Sequence, residues 1–174
     1  MALKESPSQT AGPYVHIGCT PQTAGLEQRS MGAQLGQTGP EDAQAMTLDI
    51  TALDGAGDPL RDALFEVWQA GADVCPGHWA REAADLETGL ERFMTLKPSA
   101  SEGQAPHLLV WIVARGINLG LTTRIYFPDE DNRSDPVLGL AGARADTLIA
   151  ERTNAGYAHV IHLQGPNETV FFDV

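Results

Sequence analysis

Basic residues are scarce in this chain: 11 Lys and Arg stand against 23 Asp and Glu, a formal charge of −12 at pH 7. A protein this acidic repels phosphate backbones, which excludes nucleic acid as an expected partner. It also repels small anions at long range, so an anionic ligand needs a local cation to hold it. Cysteine is nearly absent. Cys19 and Cys75 are the only two, and their spacing suggests neither a disulfide framework nor a zinc site. No apolar run approaches the ~20 residues that cross a membrane, and Met1 to Thr10 lacks the apolar core of a signal peptide. These absences predict a protein of a reducing cytoplasm with no membrane role. Tyrosine is rare too. Tyr14, Tyr126 and Tyr157 are the only three, which limits the phenolates the chain could offer a metal.

What is present suits one globular domain: 174 residues, 43% hydrophobic and 20% charged, proportions far from those of disordered chains. That length can bury about 70% of the surface its unfolded form exposes. Gly18 to Gln44 is rich in Gly, Gln, Thr and Ala without a strong period and reads as an irregular arm. Before it, Gly12-Pro13-Tyr14-Val15-His16-Ile17 is too apolar for a simple tail.

From Thr47 the pattern changes. Leu48, Ile50 and Ala52 alternate with Thr47, Asp49 and Thr51, the period of a strand. Asp54 to Pro59 is a turn signal, and Leu64 to Trp68 has strand composition; together they predict a hairpin. Leu86, Leu90 and Phe93 fit a helix, but Gly89 within it would cost about 1 kcal/mol. A turn at Thr88-Gly89 followed by a strand, with Leu90, Arg92, Met94 and Leu96 on one face, fits equally. Leu108 to Ala114 is a continuous apolar run bounded by turns, read as a buried strand. Leu121 to Phe127 alternates, with Arg124 on the polar face in an expected structural ion pair. Ala145 to Arg152 reads as a short helix ending on a favourable cation. Tyr157 to Gln164 alternates again, and Thr169 to Val174 reads as a closing strand. Six or seven short strands with little helix predict an all-β sandwich, with residues 1–46 as an N-terminal arm and 47–174 as the sandwich domain.

Three stretches in order, Ser8 to Gly18, Leu60-Arg61-Asp62 into Phe65 to Ala70, and Ala105-Pro106-His107 through Ala114-Arg115-Gly116 to Phe127, resemble the intradiol ring-cleavage dioxygenases. The ending, Gln164-Gly165 and Glu168 to Asp173, fits as well. Within that family the resemblance is to the iron-free alpha chains that accompany a beta chain in cleaving protocatechuate. It favours the strand reading before Leu96-Lys97-Pro98. Gly71 to Asp85 departs from the family by being shorter.

The resemblance implies a mononuclear Fe(III) held by two tyrosinates and two histidines, a hard cation stabilised by anionic oxygen. It also implies that this chain is not its holder. No tyrosine lies between Trp68 and His107, where both ligands would fall. The family's His-x-His pair is reduced to His107-Leu108-Leu109, so Leu109 occupies the second histidine's place on that strand face. His107 is then a relic, a hydrogen-bonded core residue. His159 and His162, three apart on a predicted strand, face opposite sides, and the Cys75 to His78 stretch is read as a surface loop. No catalytic or metal-binding residue is expected in this chain.

By the same resemblance Thr10, Gly12, Pro13 and Tyr14 would line the substrate pocket at the contact with the beta subunit, and Arg115 would lie beside it. Gly12 would permit close backbone approach, Pro13 would pre-order the segment, and Tyr14 would offer an aromatic face with a hydroxyl. Arg115 could hold an anion or order water; an ordinary turn-end salt bridge is the competing reading. The implied reaction is cleavage of protocatechuate with O₂ to 3-carboxy-cis,cis-muconate by a larger hetero-oligomer, the Fe(III) residing on the beta subunit. The alternative is a stand-alone β-sandwich binding module descended from such an enzyme.

Overall fold

The computed structural model describes residues 10–26, 45–69 and 78–173. Eight strands form two four-stranded sheets. They are β1 (Ala45–Leu53), β2 (Leu64–Gln69), β3 (His78–Ala83), β4 (Leu90–Leu96), β5 (His107–Val113), β6 (Leu121–Tyr126), β7 (Glu151–Arg152) and β8 (Gly156–His162). One sheet runs β4-β1-β8-β7 and the other β3-β2-β5-β6. All pairings are antiparallel except β1 with β8.

Alternation decides which side chains meet between the sheets. Leu48, Ile50, Phe93, Tyr157 and Ile161 of the first sheet pack with Phe65, Val67, Val110, Ile112, Ile125 and Phe127 from the second. The all-β sandwich is therefore the fold, with a smaller apolar cluster of Ala105, Tyr126, Leu138, Leu148 and Val170 on the outer side of β6.

Several local expectations differ from the structure. β1 and β2 are not a hairpin: the chain changes sheets between them, and only the bridge Leu53–Pro59 joins the two limbs of the turn. The turn itself forms as read, with Asp54 Oδ1 accepting from the amides of Ala56 and Asp58. The ambiguity at Gly89 resolves as turn then strand. Gly89 has φ +75°, a conformation that excludes helix, and a Cβ there would sit 2.6 Å from Pro59. The short helix lies earlier than the expected 145–152. It is α2 (Pro136–Leu140), followed by a 3-10 turn Gly142–Leu148, and Arg152 belongs to β7. Asp135 sets that position: its carboxylate caps α2 through Val137 and Leu138 and also accepts from Ala105 N and Tyr126 Oη. The closing strand is reduced to one antiparallel bridge beside β6, Thr122–Phe172, with Thr123 Oγ1 donating to Val170 O.

The N-terminal arm contains α1 (Pro13–Cys19) and a 3-10 turn Pro21–Ala24. The rest of the arm, 1–9 and 27–44, and the first part of the shortened stretch, with Cys75, lie outside the described residues. Among the described residues no helix is long and apolar enough to cross a membrane.

Candidate functional site

Sheet register builds one corner of the molecule. Leu64 of β2 pairs with Val113 of β5 in antiparallel register. Two residues outward on each chain stand Asp62 and Arg115, which therefore face each other just beyond the ladder. They form an ion pair, Arg115 Nε to Asp62 Oδ2, at 3.1 Å. Gly116, at φ +93°, lets the chain turn sharply after Arg115, closed by the Ile117 amide donating to Ala114 O.

The arm docks on this same corner. Thr10 Oγ1 accepts a 2.6 Å hydrogen bond from the Gly116 amide. His16 Nε2 donates to the backbone carbonyl of Asp62 at 3.0 Å, which leaves Nδ1 facing Thr20 Oγ1 at 3.3 Å. Between the two anchor points, Ala11, Gly12, His16, Asp62 and Arg115 enclose a cavity of about 190 Å³. On its other side Arg115 borders an open groove of about 730 Å³ walled by Leu60, Ile117, Leu121 and Leu163. The Arg115 side chain is 78% exposed, which leaves its outer edge open to a ligand.

The structure thus brings Thr10, Gly12 and Arg115 together. Pro13 follows as the first residue of α1. Tyr14 is 86% exposed and does not line this cavity. Gly12 caps α1 with extended backbone, and a Cβ there would meet nothing within 4 Å. Any need for close approach at Gly12 would come from outside this chain. Sequence pattern does not single out His16 or Asp62. The signal that could find Asp62 is strand register, which places it opposite Arg115.

Arg124 makes no ion pair among the described residues; it donates instead to Gln104 Oε1 at 2.6 Å and to Tyr126 Oη at 3.3 Å. A neutral amide takes the place of the expected carboxylate.

The surroundings of His107 do not fit a ferric ion. His107 Nδ1 donates to Ala105 O at 2.8 Å, and burial lowers its pKa. The ring packs 5.4 Å from Tyr126. That phenol is pushed up to about 12, first by burial, and donates to Asp135 Oδ1. Its proton is committed where a ferric site would need a phenolate. Leu109 follows on the same strand, where it can donate nothing. Tyr157 likewise spends its hydroxyl on Asp129. Elsewhere His159 is buried and neutral, its pKa brought down to about 4 chiefly by desolvation, while His162 faces the opposite side of β8, partly exposed. No group of three or more His, Cys, Asp or Glu that could hold a metal ion occurs among the described residues.

Comparison with known proteins places the fold and the chain. A scan against family models finds no match. The protocatechuate 3,4-dioxygenase alpha chain of Pseudomonas putida is 37% identical, with 98% of this chain and 97% of that protein covered. The alpha chain of Burkholderia cepacia is also 37% identical, with 99% and 98% covered. This chain belongs to the protocatechuate 3,4-dioxygenase alpha chain family. Solved intradiol enzymes share its fold. The dioxygenase domain of a Streptomyces sp. SirexAA-E fusion protein superposes with a TM-score of 0.55 at 19% identity, covering 91% of this chain and 96% of that one. Catechol 1,2-dioxygenase of Pseudomonas arvilla C-1 gives 0.51 at 19% identity, covering 79% and 58%. In this member of the alpha chain family, the corner built by Thr10, Gly12, His16, Asp62 and Arg115 is where the arm, the ends of β2 and β5 and an exposed cation coincide.

Proposed function

We propose that this chain is the iron-free subunit of a protocatechuate 3,4-dioxygenase. In this reading it pairs with a beta subunit that binds Fe(III) and supplies the oxygen chemistry, and it contributes walls and charge to the substrate pocket. The assembled enzyme converts protocatechuate and O₂ to 3-carboxy-cis,cis-muconate in the cytoplasm, as part of a larger hetero-oligomer, and the chain alone is inactive.

Family membership supports the reaction. The observation that carries this chain's own role is the Arg115 corner. A strongly acidic protein meets a carboxylated substrate poorly unless a cation is held where the substrate enters. Arg115 is such a cation, anchored through Nε and open at its outer edge, where a planar fork can meet a carboxylate. Thr10 and His16 fix the arm beside it, so Gly12, Pro13 and Tyr14 are carried as one unit toward a partner's surface. Tyr14, exposed in the single chain, gains a role when a beta subunit covers it.

Co-expression with a beta chain bearing the family's tyrosines and histidines tests the reading. Size-exclusion chromatography should show a stoichiometric complex, and an oxygen electrode should show protocatechuate-dependent O₂ uptake. A chain that elutes alone and adds nothing to the beta chain would instead be the stand-alone binding module.

A further inference from the structure

Asp62 has no role in a pocket by its charge, since a carboxylate repels a carboxylated substrate. Its position nonetheless joins the two parts of the corner. The Asp62 side chain holds Arg115 Nε at 3.1 Å, and its backbone carbonyl receives His16 Nε2 at 3.0 Å. The residue after Arg115, Gly116, holds Thr10 Oγ1 at 2.6 Å. The arm is therefore fastened at two points to the same pair of turns whose side chains form the ion pair.

We propose that Asp62 is the positioning residue of the pocket: it sets the direction of the Arg115 guanidinium and locks the arm to it through His16. This rests on the reading of Arg115 as a substrate-facing cation. A guanidinium on a flexible stem has five donors and many rotamers. Anchoring Nε fixes the plane and leaves the terminal N–H groups aimed outward. Without Asp62 the charge remains but its direction is lost, so substrate positioning suffers more than folding does.

The test uses Asp62→Asn, Asp62→Glu, Arg115→Ala and the Asp62→Asn/Arg115→Ala double variant, each assembled with the beta chain. Asp62→Asn should raise KM for protocatechuate about fivefold, the scale of one exposed ion pair, with kcat and iron content little changed. Asp62→Glu should recover part of the loss. The double variant should be no worse than Arg115→Ala alone, because Asp62 acts through Arg115. Additive losses, or an unchanged KM in Asp62→Asn, would overturn the proposal. A second readout needs neither partner nor turnover: the Arg115 Nε–H resonance of the isolated chain, in ¹⁵N NMR. Asp62→Asn should shift it and speed its exchange with water, while the Thr10 and His16 backbone amides stay in place. An unmoved resonance would refute the ion pair even if the chain proved not to be a dioxygenase subunit; a moved resonance without any complex would instead sink the functional reading alone.

Discussion

Tyr14 shows what one side chain can and cannot reveal in an isolated subunit. It is 86% exposed, and no hydrogen bond or ring contact holds it among the described residues. Tyr14→Ala should leave the melting temperature of the chain within about 2 °C, since surface changes of this kind alter stability by ~0.5 kcal/mol or less. In the assembled enzyme the same variant should raise KM for protocatechuate. Calorimetry on the chain and steady-state kinetics on the complex check the two halves. The sequence made Tyr14 and Arg115 visible as residues of chemical interest, but not His16 or Asp62. The β2–β5 register distinguishes Asp62, and only the docking of the arm on the Asp62 carbonyl distinguishes His16.

Short elements were the least legible part of the chain. Asp135-Pro136 is a strong helix start, a capping carboxylate followed by proline. Arg152, read as a cation closing a helix, nonetheless places the expected helix at 145–152, beyond the end of α2 at Leu140. The structure gives Asp135 four donors: two α2 amides, the Ala105 amide and the Tyr126 hydroxyl. Those bonds keep its carboxyl below the usual carboxylate range despite the opposing effect of burial. Asp135→Ala removes all four acceptor contacts and takes the acceptor from the buried Tyr126 hydroxyl proton and the Ala105 amide. It should cost about 3 kcal/mol, read from urea midpoints, and should loosen the cluster of Tyr126, Leu138 and Leu148. Gly89 is the contrary case. Its meaning was undecided by periodicity alone and became plain once φ was positive.

At the scale of the whole molecule, the two-sheet sandwich was readable because each strand carries its own alternation. The assignment of strands to sheets was not. A tight turn at Asp54 to Pro59 looks the same whether its limbs pair or part, and the choice depends on partners far along the chain: β4 and β8 for β1, and β3 and β5 for β2. Charge is likewise a global property. Glu91 is half-buried near Glu82, Asp85 and Asp49, and its pKa rises to about 7, first by desolvation and then by these neighbours. Its unfolded value is near 4.5, so between those pH values the folded state binds more protons and stability falls as pH rises. His159, brought down to about 4, acts oppositely: its contribution is present above pH ~6.5 and is lost as pH falls toward 4. Glu91→Gln should therefore raise the melting temperature at pH 8 and change it little at pH 5. An equal shift at both pH values would remove the titration from the explanation.

The central claim is that this chain cannot hold the ferric ion itself. Its tyrosines are few, Tyr126 and Tyr157 donate their hydroxyls to Asp135 and Asp129, and Leu109 stands two residues after His107, where the family resemblance implies a second histidine. The direct measurement is metal analysis with visible absorption on the chain purified alone after exposure to excess iron, beside the chain assembled with a beta subunit. The isolated chain should be colourless and retain no stoichiometric iron, while the complex should carry iron and show tyrosinate-to-iron charge transfer. One equivalent of iron with that absorption band in the isolated chain would contradict the account.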